Sequence, residues 1–191
     1  MGSGHAAQIL DGKIPRLVLT AVATHSPARR PSLSGVKFFT EPAALLKSGL
    51  VDAVLIATPH PSHAPLALAA LKAGLHVLLE KPIAVHKAEA VRMIAAAKRR
   101  PQQVFGTVFN QRTNPYYRKI RDLVRGGSLG AVRRISWTIT NWFRSEAYYQ
   151  SSAWRATWAG EGGGIPEGPC PPQRLHGDLR LVRERHARHT P

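Results

Sequence analysis

The side chains best suited to chemistry stand in short groups, each directly behind an apolar run. Glu80-Lys81-Pro82 follows 75–79 (LHVLL), Thr58-Pro59-His60 follows 51–57 (VDAVLIA), and Thr24-His25 follows 17–23 (LVLTAVA). Together they supply a carboxylate, an ammonium, hydroxyls and imidazoles, the types that bind polar ligands and hold or move protons. His63 comes just after the second group, and Asn110 and Arg112 follow a further apolar run at 103–109 (QVFGTVF). Plainer readings stand beside these: a solvated loop lysine at 81, ordinary loop and helix-start histidines at 60 and 63, and a structural ion-pair partner at Arg112. Trp137, Trp142, Trp154 and Trp158 read more readily as packing residues than as stacking platforms.

The elements that must position these groups can be read from the runs themselves. Residues 17–23, 36–39, 51–57, 75–79 and 103–109 read as strands. The nearly unbroken apolar character of 51–57 belongs to a parallel sheet covered on both faces. A helix opens at Thr40-Glu41-Pro42, with Thr40 as its cap, and runs through Lys47 to Gly49. Ser62 caps a second helix that continues to Lys72 and stops at Gly74. A third covers 86–99 and sets Val91, Ile94 and Ala95 on one face. Alternation of strand and helix implies a doubly wound α/β sheet. Right-handed crossovers then bring the carboxyl ends of the strands to one edge, where ligands bind in this fold class.

After Asn110 the character changes. Residues 114–126 read as a basic helix, and 131–142 (AVRRISWTITNW) alternate as a strand with one polar face. This implies a division into a nucleotide-binding region at 1–109, part of an α+β domain at 110–164, and a disordered basic tail at 165–191.

Composition bounds the rest. The formal net charge is +16, with 43% hydrophobic residues and one cysteine. The basic residues are scattered and carry no nucleic-acid motif, so solvated faces are favoured over a polyanion site. A single cysteine excludes an internal disulfide framework and a Cys-rich zinc site, and fits a reducing, cytoplasmic setting. No apolar run is long enough for a membrane helix, and no signal peptide is expected at the start.

The run ATPHPSHAPLALAALKAGLHVLLEKP resembles the glucose–fructose oxidoreductase, inositol dehydrogenase and rhizopine-catabolism proteins, the Gfo/Idh/MocA family. The likeness extends from Met1 to about Gly164. It implies an N-terminal Rossmann domain, a C-terminal α+β domain with an open sheet, and hydride transfer between NAD or NADP and a sugar or polyol hydroxyl. It implies that Lys81 polarises the substrate hydroxyl and helps move its proton. Glu80 and Pro82 would shape the loop near the nicotinamide ribose. Thr58, Pro59 and His63 would line the cofactor crevice, and Asn110 and Arg112 would face cofactor or substrate. Trp154-Arg155 is similar to a substrate-side motif. Homo-oligomers would form through the second-domain sheet where that sheet is complete.

Three departures from the family pattern carry expectations of their own. MGSGHAAQIL looks like the end of a GxGxxG loop, with Gly2 as the third glycine and residues 3–10 as the helix. Gly2-Ser3-Gly4 would then offer half a phosphate cradle. The absent strand would lie at the sheet centre, so strands 17–23 and 51–57 either pair directly or leave a weakly stable region. Thr24 stands where an acidic residue usually holds the ribose of NAD, and Arg29 and Arg30 hint at NADP. The glycine-rich turn at 160–164 is not followed by the expected Asp-x-x-x-His helix: Asp178 is followed four positions later by Val182. His176, His186 and His189 lie in the tail. The sequence is thus expected to be truncated at both ends relative to the family. Three functions stay open: an NAD(P)-dependent oxidoreductase, a catalytically inactive homologue with residual nucleotide binding, and a basic polyanion-binding protein.

Overall fold

The computed structural model describes residues 1–25, 35–138, 145–150, 154 and 157–161. Arg29, Arg30, Arg155 and the tail after residue 161 lie outside the described residues. Helix α1 (Gly2–Leu10) opens the chain, followed by β1 (Ala21–Ala23), β2 (Lys37–Phe39), α2 (Pro42–Leu46) and β3 (Ala53–Ile56). Then come α3 (His63–Lys72), β4 (His76–Leu79), α4 (Lys87–Lys98), β5 (Phe105–Thr107) and α5 (Pro115–Arg125). Short helices α6 (Glu146–Gln150) and α7 (Trp158–Glu161) follow.

The centre is a three-stranded parallel sheet in the order β3-β4-β5. Ala53 pairs with His76 and Ile56 with Leu79, while Val77 pairs with Phe105 and Leu79 with Thr107. Ile56, Val77 and Leu79 are buried together with Ala64, Ala67, Ala70 and Leu71 of α3 and Met93 and Ala96 of α4. The alanines of α3 repeat at three-residue spacing, so the stripe facing the core is thin and lets the helix lie close to the sheet. Leu71 and Leu79 are almost fully enclosed, which stabilises the fold by roughly 1.5–3 kcal/mol each. Helix α3 ends in a Schellman turn: Gly74 takes a φ of +89°, and the Leu75 N–H donates to the Ala70 carbonyl at 3.1 Å. A φ of that sign favours glycine, the residue without a Cβ.

Strands β1 and β2 form a second, separate two-stranded parallel sheet. Among the described residues no ladder joins it to β3. The Thr20 hydroxyl instead donates to the Leu50 carbonyl at 2.9 Å, tying the residue before β1 to the stretch that leads into β3. Helix α2 lies against β1, β2 and α3. Of the two alternatives, direct pairing of 17–23 with 51–57 is therefore not the arrangement adopted.

Several boundaries differ from the sequence expectations. Only Ala21–Ala23 of the run 17–23 pairs, because its partner begins at Lys37; Val18 is 78% exposed. The N-cap of α2 is Glu41 rather than Thr40. In α4 the buried residues are Met93 and Ala96, whereas Val91 and Ile94 face outward. The start of α4 is fixed by a capping box in which Glu89 accepts from the His86 N–H at 3.3 Å. Residues 131–138 form no strand among the described residues, and Trp137 packs edge-on against Tyr117 of α5 instead; 139–144 fall outside the description. No helix among the described residues is long and apolar enough to cross a membrane.

Candidate functional site

Strands β3, β4 and β5 run parallel, so the segments after them open on one edge. Thr58-Pro59-His60 follows β3, Glu80-Lys81-Pro82 follows β4, and Val108 to Arg112 follows β5. Backbone bonds extend the ladder to this edge: the Glu80 N–H donates to the Ile56 carbonyl at 2.9 Å and the Val108 N–H to the Leu79 carbonyl at 2.7 Å. Helix α1 reaches the same edge. A Cβ placed on Gly2 would sit 3.7 Å from the Ala57 Cβ, while Gly4 has open space around it. The first N–H groups of α1 have no carbonyl one turn back to bond, which suits an anion placed there.

Glu80 is buried, with 4% exposure, yet its carboxylate is satisfied. Oε1 lies 2.7 Å from Nε2 of His5, and Oε2 accepts from the Lys81 N–H at 3.1 Å. A carboxylate oxygen only accepts, so Nε2 of His5 carries the hydrogen. His5 escaped the sequence reading. Its signal was position: it lies one turn into a helix whose first residues meet the strand edge.

His63 is fully buried at the start of α3. Nδ1 lies 2.8 Å from the Pro82 carbonyl oxygen and Nε2 lies 2.9 Å from that of Thr58. Carbonyl oxygens only accept; a neutral ring supplies one N–H and an imidazolium supplies two. The structure places His63 behind the two loops, binding them to each other, rather than on their outer surface. The Lys81–Pro82 peptide is cis.

Lys81 is exposed between these two attachments. Among the described residues its ammonium has no hydrogen-bond or ion-pair partner. The Ser62 hydroxyl donates to the Pro59 carbonyl at 2.7 Å and lies 2.6 Å from the Thr58 hydroxyl, so it braces the turn instead of capping α3 by its side chain. Trp154 meets His60 edge-on, with ring centroids 5.3 Å apart. It therefore reaches the edge through the Thr58–His60 loop.

The remaining candidates lie farther out. Asn110 and Arg112 are exposed in a single helical turn, with the Arg112 guanidinium 5.3 Å from the Phe109 ring. Thr24 sits at the end of β1 in the smaller sheet, its N–H donating to the Phe39 carbonyl at 2.9 Å. The basic helix α5 is an exposed face, capped by Asn114, whose side chain accepts from the Tyr116 N–H.

Parallel strands, crossover helices and a polar carboxyl edge define a Rossmann-type nucleotide-binding domain. Residues 1–107 match the model of the Gfo/Idh/MocA proteins, described as an oxidoreductase family with an NAD-binding Rossmann fold. The chain belongs to that family. It is 36% identical over 145 residues to an inositol 2-dehydrogenase of Streptomyces avermitilis, covering 74% of this chain and 42% of that one. It is 31% identical over 134 residues to inositol 2-dehydrogenase 4 of Saccharopolyspora erythraea, covering 68% and 39%. The scyllo-inositol dehydrogenase of Lactobacillus casei, solved with NAD(H) and scyllo-inositol, superposes with a TM-score of 0.63 at 28% identity, over 68% of this chain and 39% of that one. The chain thus spans about 40% of the length of these relatives.

Proposed function

We propose that this chain supplies the nucleotide-facing edge of an NAD(P)-dependent oxidoreductase acting on a sugar or polyol hydroxyl. The observation that carries the reading is the exposed Lys81 ammonium, displayed at the carboxyl edge of β4 on a loop whose neighbours are both anchored. A nicotinamide cofactor, when bound, accepts the hydride from the carbon bearing the hydroxyl. Lys81 donates a hydrogen bond to that hydroxyl oxygen and stabilises the negative charge that develops as its proton passes to solvent water, which reaches the exposed loop.

The other candidates fit binding roles around it. The Gly2 and Ser3 N–H groups face an anionic phosphate at the start of α1. Thr58 and Pro59 wall the crevice beside Glu80, and Asn110 and Arg112 close it from the β5 side. Thr24, neutral where an acidic side chain would repel a 2′-phosphate, leaves NADP as open as NAD. Trp154, on His60, stands on the substrate side; inositol dehydrogenases among the relatives support a polyol as substrate class.

The test is a titration of the chain with NADH and, separately, NADPH, following tryptophan fluorescence. Saturable quenching by either supports the reading. No saturable response to either, together with DNA binding that weakens steeply with salt, overturns it in favour of a polyanion site.

A further inference from the structure

Lys81 can act only if its backbone is held at the strand edge, and the structure shows what holds it. On the downstream side Pro82 is bonded to the buried His63. On the upstream side the only side-chain link among the described residues is through Glu80, whose two oxygens are divided between His5 and the Lys81 N–H. The carboxylate is 4% exposed and cannot draw on bulk water to replace a lost partner. His5 is thus the group that fixes the Glu80 rotamer, and that rotamer directs Oε2 onto the Lys81 amide. Helix α1 and β4 are remote in sequence, so this one contact also joins the anion-facing end of α1 to the lysine loop.

We infer that His5 is a positioning residue for Lys81, acting through Glu80. The inference rests on the oxidoreductase reading for its purpose but not for its test. Geometry makes the test selective. The amide nitrogen of a glutamine side chain overlays Nε2 of histidine, whereas that of asparagine overlays Nδ1. Only His5→Gln can therefore keep the bond to Glu80.

The experiment measures backbone amide exchange at Lys81 in the nucleotide-free chain, with Val77 and Leu79 of β4 as internal references. In His5→Asn, exchange at Lys81 should rise roughly tenfold or more, since a bond to a charged acceptor is lost. Exchange at Val77 and Leu79 should stay at the wild-type rate. His5→Gln should restore slow exchange at Lys81. Equal behaviour of the two variants, or an unchanged Lys81 amide in His5→Asn, overturns the inference. If substitution at His5 unfolds the chain, the comparison moves to Glu80→Gln, whose amide oxygen accepts from the Lys81 N–H while its NH2 donates to His5 in the other ring tautomer, against Glu80→Leu, which bonds neither. Selective loss at Lys81 in Glu80→Leu supports positioning; global unfolding in both pairs assigns the contact to stability and overturns it. A chain that shows the predicted exchange but binds no nicotinamide nucleotide retains the His5 assignment and loses only the redox reading.

Discussion

His63 binds Pro82 through a 2.8 Å contact from Nδ1 to the carbonyl oxygen, and the opposite ring nitrogen meets the Thr58 carbonyl at 2.9 Å. One buried ring thereby spans the turns that follow β3 and β4. His63→Phe keeps the ring's bulk and removes both nitrogens. A half-buried carbonyl left without its donor costs about 1–3 kcal/mol, once for a neutral ring, which donates to one of the two, and twice for an imidazolium. The urea midpoint of His63→Phe should fall with an unchanged slope. A midpoint equal to that of the wild type would show that water or a shifted loop satisfies both carbonyls.

Lys81 should behave in the opposite way. It is exposed and has no described partner, so Lys81→Ala should melt at the wild-type temperature. Under the proposed function, oxidation of a polyol linked to nicotinamide reduction should drop by about two to four orders of magnitude, the usual contribution of a positioned proton-handling group. Unchanged turnover would remove Lys81 from the mechanism.

The rotation of α4 is open to a paired test. Met93 is fully buried and Val91 is 55% exposed. Met93→Ala should cost about 2–5 kcal/mol, and Val91→Ala within about 0.5 kcal/mol of nothing. Chemical denaturation of the two variants checks this directly. Equal losses would return Val91 to the core face that periodicity alone suggested.

Asp122 gives a pH dependence of known sign. The hydrogen bond from Arg121 holds its carboxyl below the ordinary value of 3.8; slight desolvation opposes this, and the charges of Arg121, Arg118 and Arg125 add to it. The folded value is the lower one, so the contribution exists above pH 3.8 and is lost as pH falls through the folded value. The group is fully exposed, so the effect is small and screened by salt. Asp122→Asn should melt slightly below the wild type at neutral pH and converge with it in acid. A gap that widens below pH 3.8 would reverse the sign.

What was legible in the sequence is local. The apolar strings 51–57 and 75–79 fix strands by composition, and Gly74 marks the end of α3 because its backbone needs a φ few residues accept. Three polar groups fell at strand ends, so Thr58, Glu80 and Lys81 could be named beforehand. Helix rotation was not legible. Val91, Ile94 and Ala95 are a plausible apolar stripe, yet the capping box at His86 and Glu89 fixes the start of the helix and Met93 takes the interior. Long-range partnership was not legible either. MGSGHAAQIL places His5 one turn into a helix that starts at a strand edge, but does not say that it meets a carboxylate 75 positions away. The role of His63 lay between these cases. Its place at a helix start was visible, but which way its ring nitrogens faced depends on the Pro82 carbonyl, brought in by the neighbouring strand.

The separation of the two sheets has a consequence for cooperativity. Opening the β1–β2 ladder breaks no hydrogen bond within β3–β5, and Thr20 to Leu50 is the described hydrogen bond at the seam. Thr24, on the smaller sheet, and Lys81, at the edge of the central one, thus stand on ladders that can open separately. A dinucleotide long enough to touch both would be bound only when both are closed. Its binding energy would therefore fuse two melting units into one, so that occupancy would register as a sharper transition as well as a later one.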